Sequence, residues 1–173
     1  MATTKLQTTA FDIKRSVLNA FLINEEANQL LLKNLLPAAW DAAPPTGKGR
    51  TIAAIAAHMH NVRLMWLAAA DKSAKLPAKL DGEKVSAEEV AESLTKSAAA
   101  IGKLIEKGLA DPVGRVPNFK PDVVSFVGYL IAHDAHHRGQ ISMLARQLGH
   151  AVPSKASFGL WEWGTLAKGG GIS

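Results

Sequence analysis

The chain predicts an all-α fold, a four-helix bundle, on three observations. Apolar residues recur at helical spacing over four long segments, and caps, prolines and glycines bracket those segments. No alternating β pattern, internal repeat or low-complexity tract interrupts them. Helices with narrow apolar stripes bury them most simply against one another. At 173 residues with 47% hydrophobic content, the chain suits a single domain, 1–173, with a substantial core.

The first helix is expected over residues 11–36, with Thr8 or Thr9 as N-cap and Pro37 just beyond its end. Residues 36–50 are rich in Pro and Gly and read as a loop. A second helix follows over residues 51–70. Ser86 and Glu89 have the spacing of a capping box, opening a third helix in which Val90, Leu94, Ile101, Leu104 and Ile105 keep one face up to Gly108. Residues 111–121 hold three prolines and a glycine and are expected as loop. The fourth helix starts near Pro121 and Asp122 and stops at Gly149, whose missing Cβ suits a helix C-terminus. The tail, about 150–173, places Trp161 and Trp163 outside any long helix. It is expected to pack over one end of the bundle, either as a cover alone or as a ligand-pocket wall with Met65 and Trp66.

Composition removes several function classes. With no cysteine there is no disulfide framework, thiolate metal site or cysteine nucleophile. Met1 to Ala10 is polar and lacks a signal peptide's apolar core, and His58, His60 and Arg63 interrupt the alanine-rich segment before it reaches the ~20 apolar residues of a membrane span. A cytoplasmic location without membrane contact is the expectation. The charge of +5 and pI near 9.6 invite a nucleic-acid reading. The basic residues are scattered, however, and the densest group, Lys72, Lys75, Lys79 and Lys84, has no aromatic interleaved, so a solvated surface is the better account.

Six histidines remain to be placed. At about 100° per residue, His137 falls in the middle of a stripe with Phe126, Leu130, Ile141, Leu144 and Leu148, and His133 lies one turn earlier on it. His136 sits at the stripe's edge. His58 shares an azimuth with Val62, Met65 and Ala69, whereas His60 points roughly the opposite way. His150 follows Gly149 and can interact with the carbonyl end of the helix. Each of His58, His133 and His137 alone reads as a core histidine held by a hydrogen bond. Together they need a shared reason, because an unpartnered buried polar group costs roughly 1–3 kcal/mol. Imidazole ligates Zn, Ni, Cu and Fe, and an i, i+4 pair presents two nitrogens to one ion. A third histidine from a facing helix completes a three-ligand site with an open position, the pattern of catalytic zinc.

The run His133, Asp134, Ala135, His136, His137, Arg138, Gly139, Gln140 resembles the signature of the DinB/YfiT family of metalloenzyme-like proteins. His58, six residues after Ile52 and ahead of Trp66, is similar to that family's first histidine, and Trp161, Glu162 and Trp163 resemble the tail of one branch. The resemblance covers residues 11–164. It implies a bundle whose second helix reaches the third by a long crossover connection, a divalent ion (Zn or Ni) on His58, His133 and His137, and a homodimer. Arg138 matches a motif position and is expected at solvent or an interface. Asp134, beside the ligands, is expected to hydrogen-bond to one of them. Relatives imply a low-molecular-weight thiol and S-transfer to a small electrophile. The alternatives are a metal-dependent hydrolase and a non-catalytic metal-binding stress-response protein, for which a fourth protein ligand would speak.

Overall fold

The computed structural model describes residues 10–172. In chain order its elements are α1 (Ile13–Lys33), α2 (Pro37–Trp40), α3 (Ile52–Ala70), α4 (Ala87–Ala110), β1 (Arg115–Val116), β2 (Phe119–Asp122), α5 (Val123–Gln147), α6 (Ser154–Gly159) and α7 (Trp163–Gly169). The four long helices form the bundle: α1 and α3 each pack against both α4 and α5. No described helix is long and apolar enough to cross a membrane.

Caps start each long helix. Asp12 caps α1 by accepting from the Arg15 amide, so the expected caps Thr8 and Thr9 are not needed; both lie outside the described residues. Thr51 and Asp122 do the same for α3 and α5, and Ser86 with Glu89 forms the anticipated capping box on α4. Each such cap stabilises its helix by about 1 kcal/mol. At the far end of α5, Gly149 takes a φ of 80°, letting the His150 amide donate back to the Ala145 carbonyl at 2.8 Å.

Two expected loops carry more structure than their prolines suggest. Residues 36–50 begin with the single turn of α2, entered through Pro37, whose Trp40 is buried and donates from Nε1 to the Val85 carbonyl at 2.8 Å. Residues 111–121 include a small antiparallel hairpin pairing Val116 with Phe119, and Asn118 at its turn has a φ of 63°. Proline forbids neither device, since it fits a first helical turn and a turn corner.

The crossover is residues 71–86, which run back along α3. His60 Nε2 donates to the Ala78 carbonyl at 3.0 Å, and Asn61 exchanges two hydrogen bonds with Leu80 at 2.9 and 3.0 Å. Gly82 then crosses the first turn of α3, where a Cβ would lie 2.7 Å from the Ala54 Cα, so only glycine fits. α4 therefore starts beside the start of α3 and runs parallel to it.

The apolar core comes in two parts. One gathers Leu31, Ile52, Ala56, Leu94 and Ile141; the other gathers Phe21, Leu64, Ile101, Phe126 and Leu130. Between them the helices turn Asn24, Glu25, Asn28, Arg63 and Asp134 inward, all buried. This polar layer places the site.

Candidate metal centre

α3 supplies His58 and α5 supplies His133 and His137, one turn apart on its inner side. Their ring centroids are 5.4 Å (His58 to His133), 4.9 Å (His58 to His137) and 4.5 Å (His133 to His137) apart. One ligand nitrogen from each lies within 4.8 Å of the others, so the three could hold a metal ion.

The pairs made by the other ring nitrogens decide which nitrogens face inward. His137 Nδ1 donates to Gln140 Oε1 at 2.8 Å, and His133 Nδ1 faces Asp134 Oδ1 at 3.5 Å. With the His137 proton on Nδ1, its Nε2 carries a lone pair and stands 3.2 Å from His133 Nε2. In the tautomer with the His133 proton on Nδ1 as well, two lone pairs face each other and a cation between them removes their repulsion. Metal–nitrogen bonds of about 2.0–2.1 Å span such a gap at roughly 100°, within the range of open zinc sites. The donor set fits a borderline-soft divalent ion. Burial, then His137, Arg50 and His133 nearby, lowers the His58 pKa to about 4. Burial also lowers that of His137, outweighing the Gln140 bond that favours its charged form. Both stay neutral, as ligation requires.

The cluster holds the three expected residues, but the reason given for His58 fails. Met65, on its stripe, is 52% exposed, so that azimuth is the rim of the bundle. His60, expected to point away from the core, is 0% exposed. α3 is covered on its remaining side by the 71–86 crossover, so its burial runs nearly all round and the alanine-rich sequence gives no clean stripe. His136 is exposed, and neither it nor His150 joins the cluster.

Asp134 lies beside His133, as expected of a supporting carboxylate. Its surroundings were not anticipated. Oδ2 accepts from Asn24 Nδ2 at 2.8 Å, Asn28 Nδ2 at 2.9 Å and Arg63 Nη2 at 2.8 Å. Arg63 also pairs with Glu25 at 2.6 Å and donates to the Leu94 carbonyl at 3.1 Å. Burial alone would raise the Asp134 pKa, but Arg63 and the bonds from His133 and Asn28 hold it far below the usual carboxylate range. Arg138, expected at solvent or an interface, instead donates to Asn24 Oδ1 at 2.7 Å and Asn28 Oδ1 at 2.6 Å. The sequence signal for this network was four-residue polar spacing, Asn24 to Asn28, between the apolar Phe21 and Leu31.

Two basins flank the cluster. One, about 510 Å³, is lined by His58, Arg50, Asn61, Met65, Lys79 and Glu83. The other, about 460 Å³, takes in Arg50, Lys48, His136, Gln140 and Met143. The expected aromatic wall is absent from both. Trp66 packs edge-on to Phe119, Phe126 and Tyr129, and the Tyr129 ring stacks beside His133 at 6.1 Å. α6 and α7 pack on α1, leaving Trp161 82% exposed. The tail instead closes a separate cavity of about 1390 Å³ with Leu30, Trp40 and Leu166 in its walls.

Fold and cluster define a class: an all-α bundle with three convergent histidines able to hold an ion. A profile of the DinB family matches residues 5–163, and the chain belongs to the DinB family. No curated protein and no solved structure matches it.

Proposed function

We propose that the protein is a metal-dependent enzyme that holds Zn or Ni on His58, His133 and His137 and passes a low-molecular-weight thiol to a small electrophile. The observation that carries the metal is the convergence of one ring nitrogen from each of three histidines within 4.8 Å, with the His133 and His137 Nε2 atoms 3.2 Å apart. Three neutral ligands leave the ion its charge, and among the described residues the cluster contains no fourth protein ligand. Such an ion, when bound, supplies the positive charge that lowers the pKa of a thiol at neutral pH. Arg50 and Lys79 on the His58 basin draw an anion toward the cluster, and Gln140 keeps the His137 proton off Nε2. This cationic rim suits an anionic thiol better than the apolar pocket expected from Trp66 and the tail.

A second reading, metal-dependent hydrolysis, draws on Glu83, a carboxylate that lines the same basin. Metal analysis of tag-free protein tests the ion. Titration of the cobalt-substituted protein with 2-mercaptoethanol and mercaptosuccinate then tests the chemistry. A sulfur-to-cobalt charge-transfer band is expected. A spectrum that responds to hydroxide or phosphate and to neither thiol replaces thiol transfer with hydrolysis. A cytoplasmic homodimer completes the proposal, supported by the lack of cysteine and by Phe158 and Trp161, 73% and 82% exposed on the tail. Light scattering that gives a mass near 18.4 kDa would refute the dimer.

A further inference from the structure

α1 contributes no histidine to the cluster, yet it contributes more polar contacts around it than any apolar core helix requires. Asn24 is 0% and Asn28 1% exposed, and each side chain spans two opposite charges. On one side their Oδ1 atoms accept from Arg138 Nη1 at 2.7 and 2.6 Å; on the other their Nδ2 groups donate to Asp134 Oδ2 at 2.8 and 2.9 Å. The cation on the outer side and the carboxylate on the inner side fix the amides in one orientation, since a flipped amide would aim N–H at a guanidinium. Arg63 Nη2 adds a third donor to the same Oδ2 at 2.8 Å. One carboxylate oxygen is thereby saturated. The other, Oδ1, is turned to His133 Nδ1 at 3.5 Å.

We infer that Asn24, Asn28 and Arg63, braced by Arg138, form a positioning cradle that aims Asp134 at His133 and so fixes which His133 nitrogen faces the metal position. The chain of contacts runs from α1 and α3 through Asp134 to the imidazole. An acceptor at Nδ1 places the His133 proton there, and Nε2 then meets His137 Nε2 at 3.2 Å with its lone pair forward. Without the cradle the Asp134 carboxyl is free to turn about its own side-chain bonds, and the proton can move to Nε2, which cancels one ligand. These four residues are positioning groups that act through Asp134; Gln140 does the corresponding task for His137 from within α5.

The inference rests on the metal reading above, and its test keeps the two apart. Long-range proton–nitrogen correlation spectra of the metal-free protein report the His133 tautomer, and competition with a chelator reports zinc affinity. In the wild type, His133 is expected as the Nδ1–H form. The double variant Asn24→Ala/Asn28→Ala is expected to show mixed tautomers and zinc affinity lower by about 10- to 100-fold. Unchanged tautomer and affinity in the folded variant overturn the inference. So does an affinity loss with the tautomer intact, which would mark the amides as packing alone. If the double variant does not fold, Arg138→Gln and Arg138→Lys replace it; Lys is expected to retain the wild-type tautomer and affinity and Gln to lose both, whereas equal behaviour of the two overturns the cradle. A wild type that binds no zinc ends the functional proposal, and the tautomer comparison alone then decides the cradle.

Discussion

Two polar regions lie side by side in the middle of the bundle and meet the cost of burial in opposite ways. In the layer of Glu25, Arg63 and Asp134, charge is paired inside the protein: one guanidinium binds two carboxylates at 2.6 and 2.8 Å, and amides take up much of what is left. Of the buried polar atoms in this layer and the neighbouring His60, Arg63 Nε and His60 Nδ1 lack a partner among the described residues. In the histidine cluster, each Nδ1 of His133 and His137 has a partner and the Nε2 atoms have only each other. The first region draws nearly all its partners from the protein. The second converges its ring nitrogens on one point, and its His58 lines a basin. A buried polar group in this fold is therefore informative according to whether the protein itself satisfies it.

The contrast breaks most visibly at Arg63. Arg63→Met strands two buried carboxylates and should cost about 3–5 kcal/mol in urea denaturation, with or without zinc. A loss below about 1 kcal/mol would mean these ion pairs do not hold the layer. Next in size, His58→Ala, His133→Ala and His137→Ala should each bring zinc binding below detection in equilibrium dialysis, while His136→Ala and His150→Ala leave it unchanged. Equal losses in all five would erase the distinction between the cluster and its neighbours. His60→Ala belongs with the layer: it should lower stability, through the lost bond to Ala78, and spare the ion.

Gln140→Leu sharpens the comparison at one atom. It removes the acceptor at His137 Nδ1 and should weaken zinc about 10- to 100-fold in chelator competition. The smallest effect is in acid. Neutral imidazole ligands alone would lose their ion near pH 6. With His58 held at about 4 and His137 also lowered, zinc should persist below that pH. The same shift has a sign for folding. The unfolded chain takes up the His58 proton near 6.5 and the folded chain only near 4, so the metal-free protein should lose stability as pH falls across that window. Thermal melts of metal-free protein that do not change between pH 7 and pH 4 would contradict this.

Much of the fold was legible because local chemistry carries it. Ser86 with Glu89 and Gly149 each mark a boundary by mechanisms confined to one turn. The i, i+4 spacing of His133 and His137 is equally local. Illegible were the features set by what packs from outside. His60 is buried because residues 71–86 return along α3, and nothing in the α3 sequence encodes that cover. Arg138 looks like a surface residue until α1 brings Asn24 and Asn28 beside it. The tail's tryptophans suggested a pocket wall, but α6 and α7 found their partner in α1, far along the chain.

That same dependence on α1 sets a timetable for synthesis. Asn24 and Asp134 are 110 residues apart, so the contact waits until nearly the whole chain has been made. Chains emerge from the ribosome N-terminus first, and closing so long a loop comes after the local helices form. A nascent chain that ends before α5 presents His58 alone, with Arg63 able to meet Glu25 but without Asp134. Such a chain lacks two of the three histidines, so the ion proposed above would load on the completed protein.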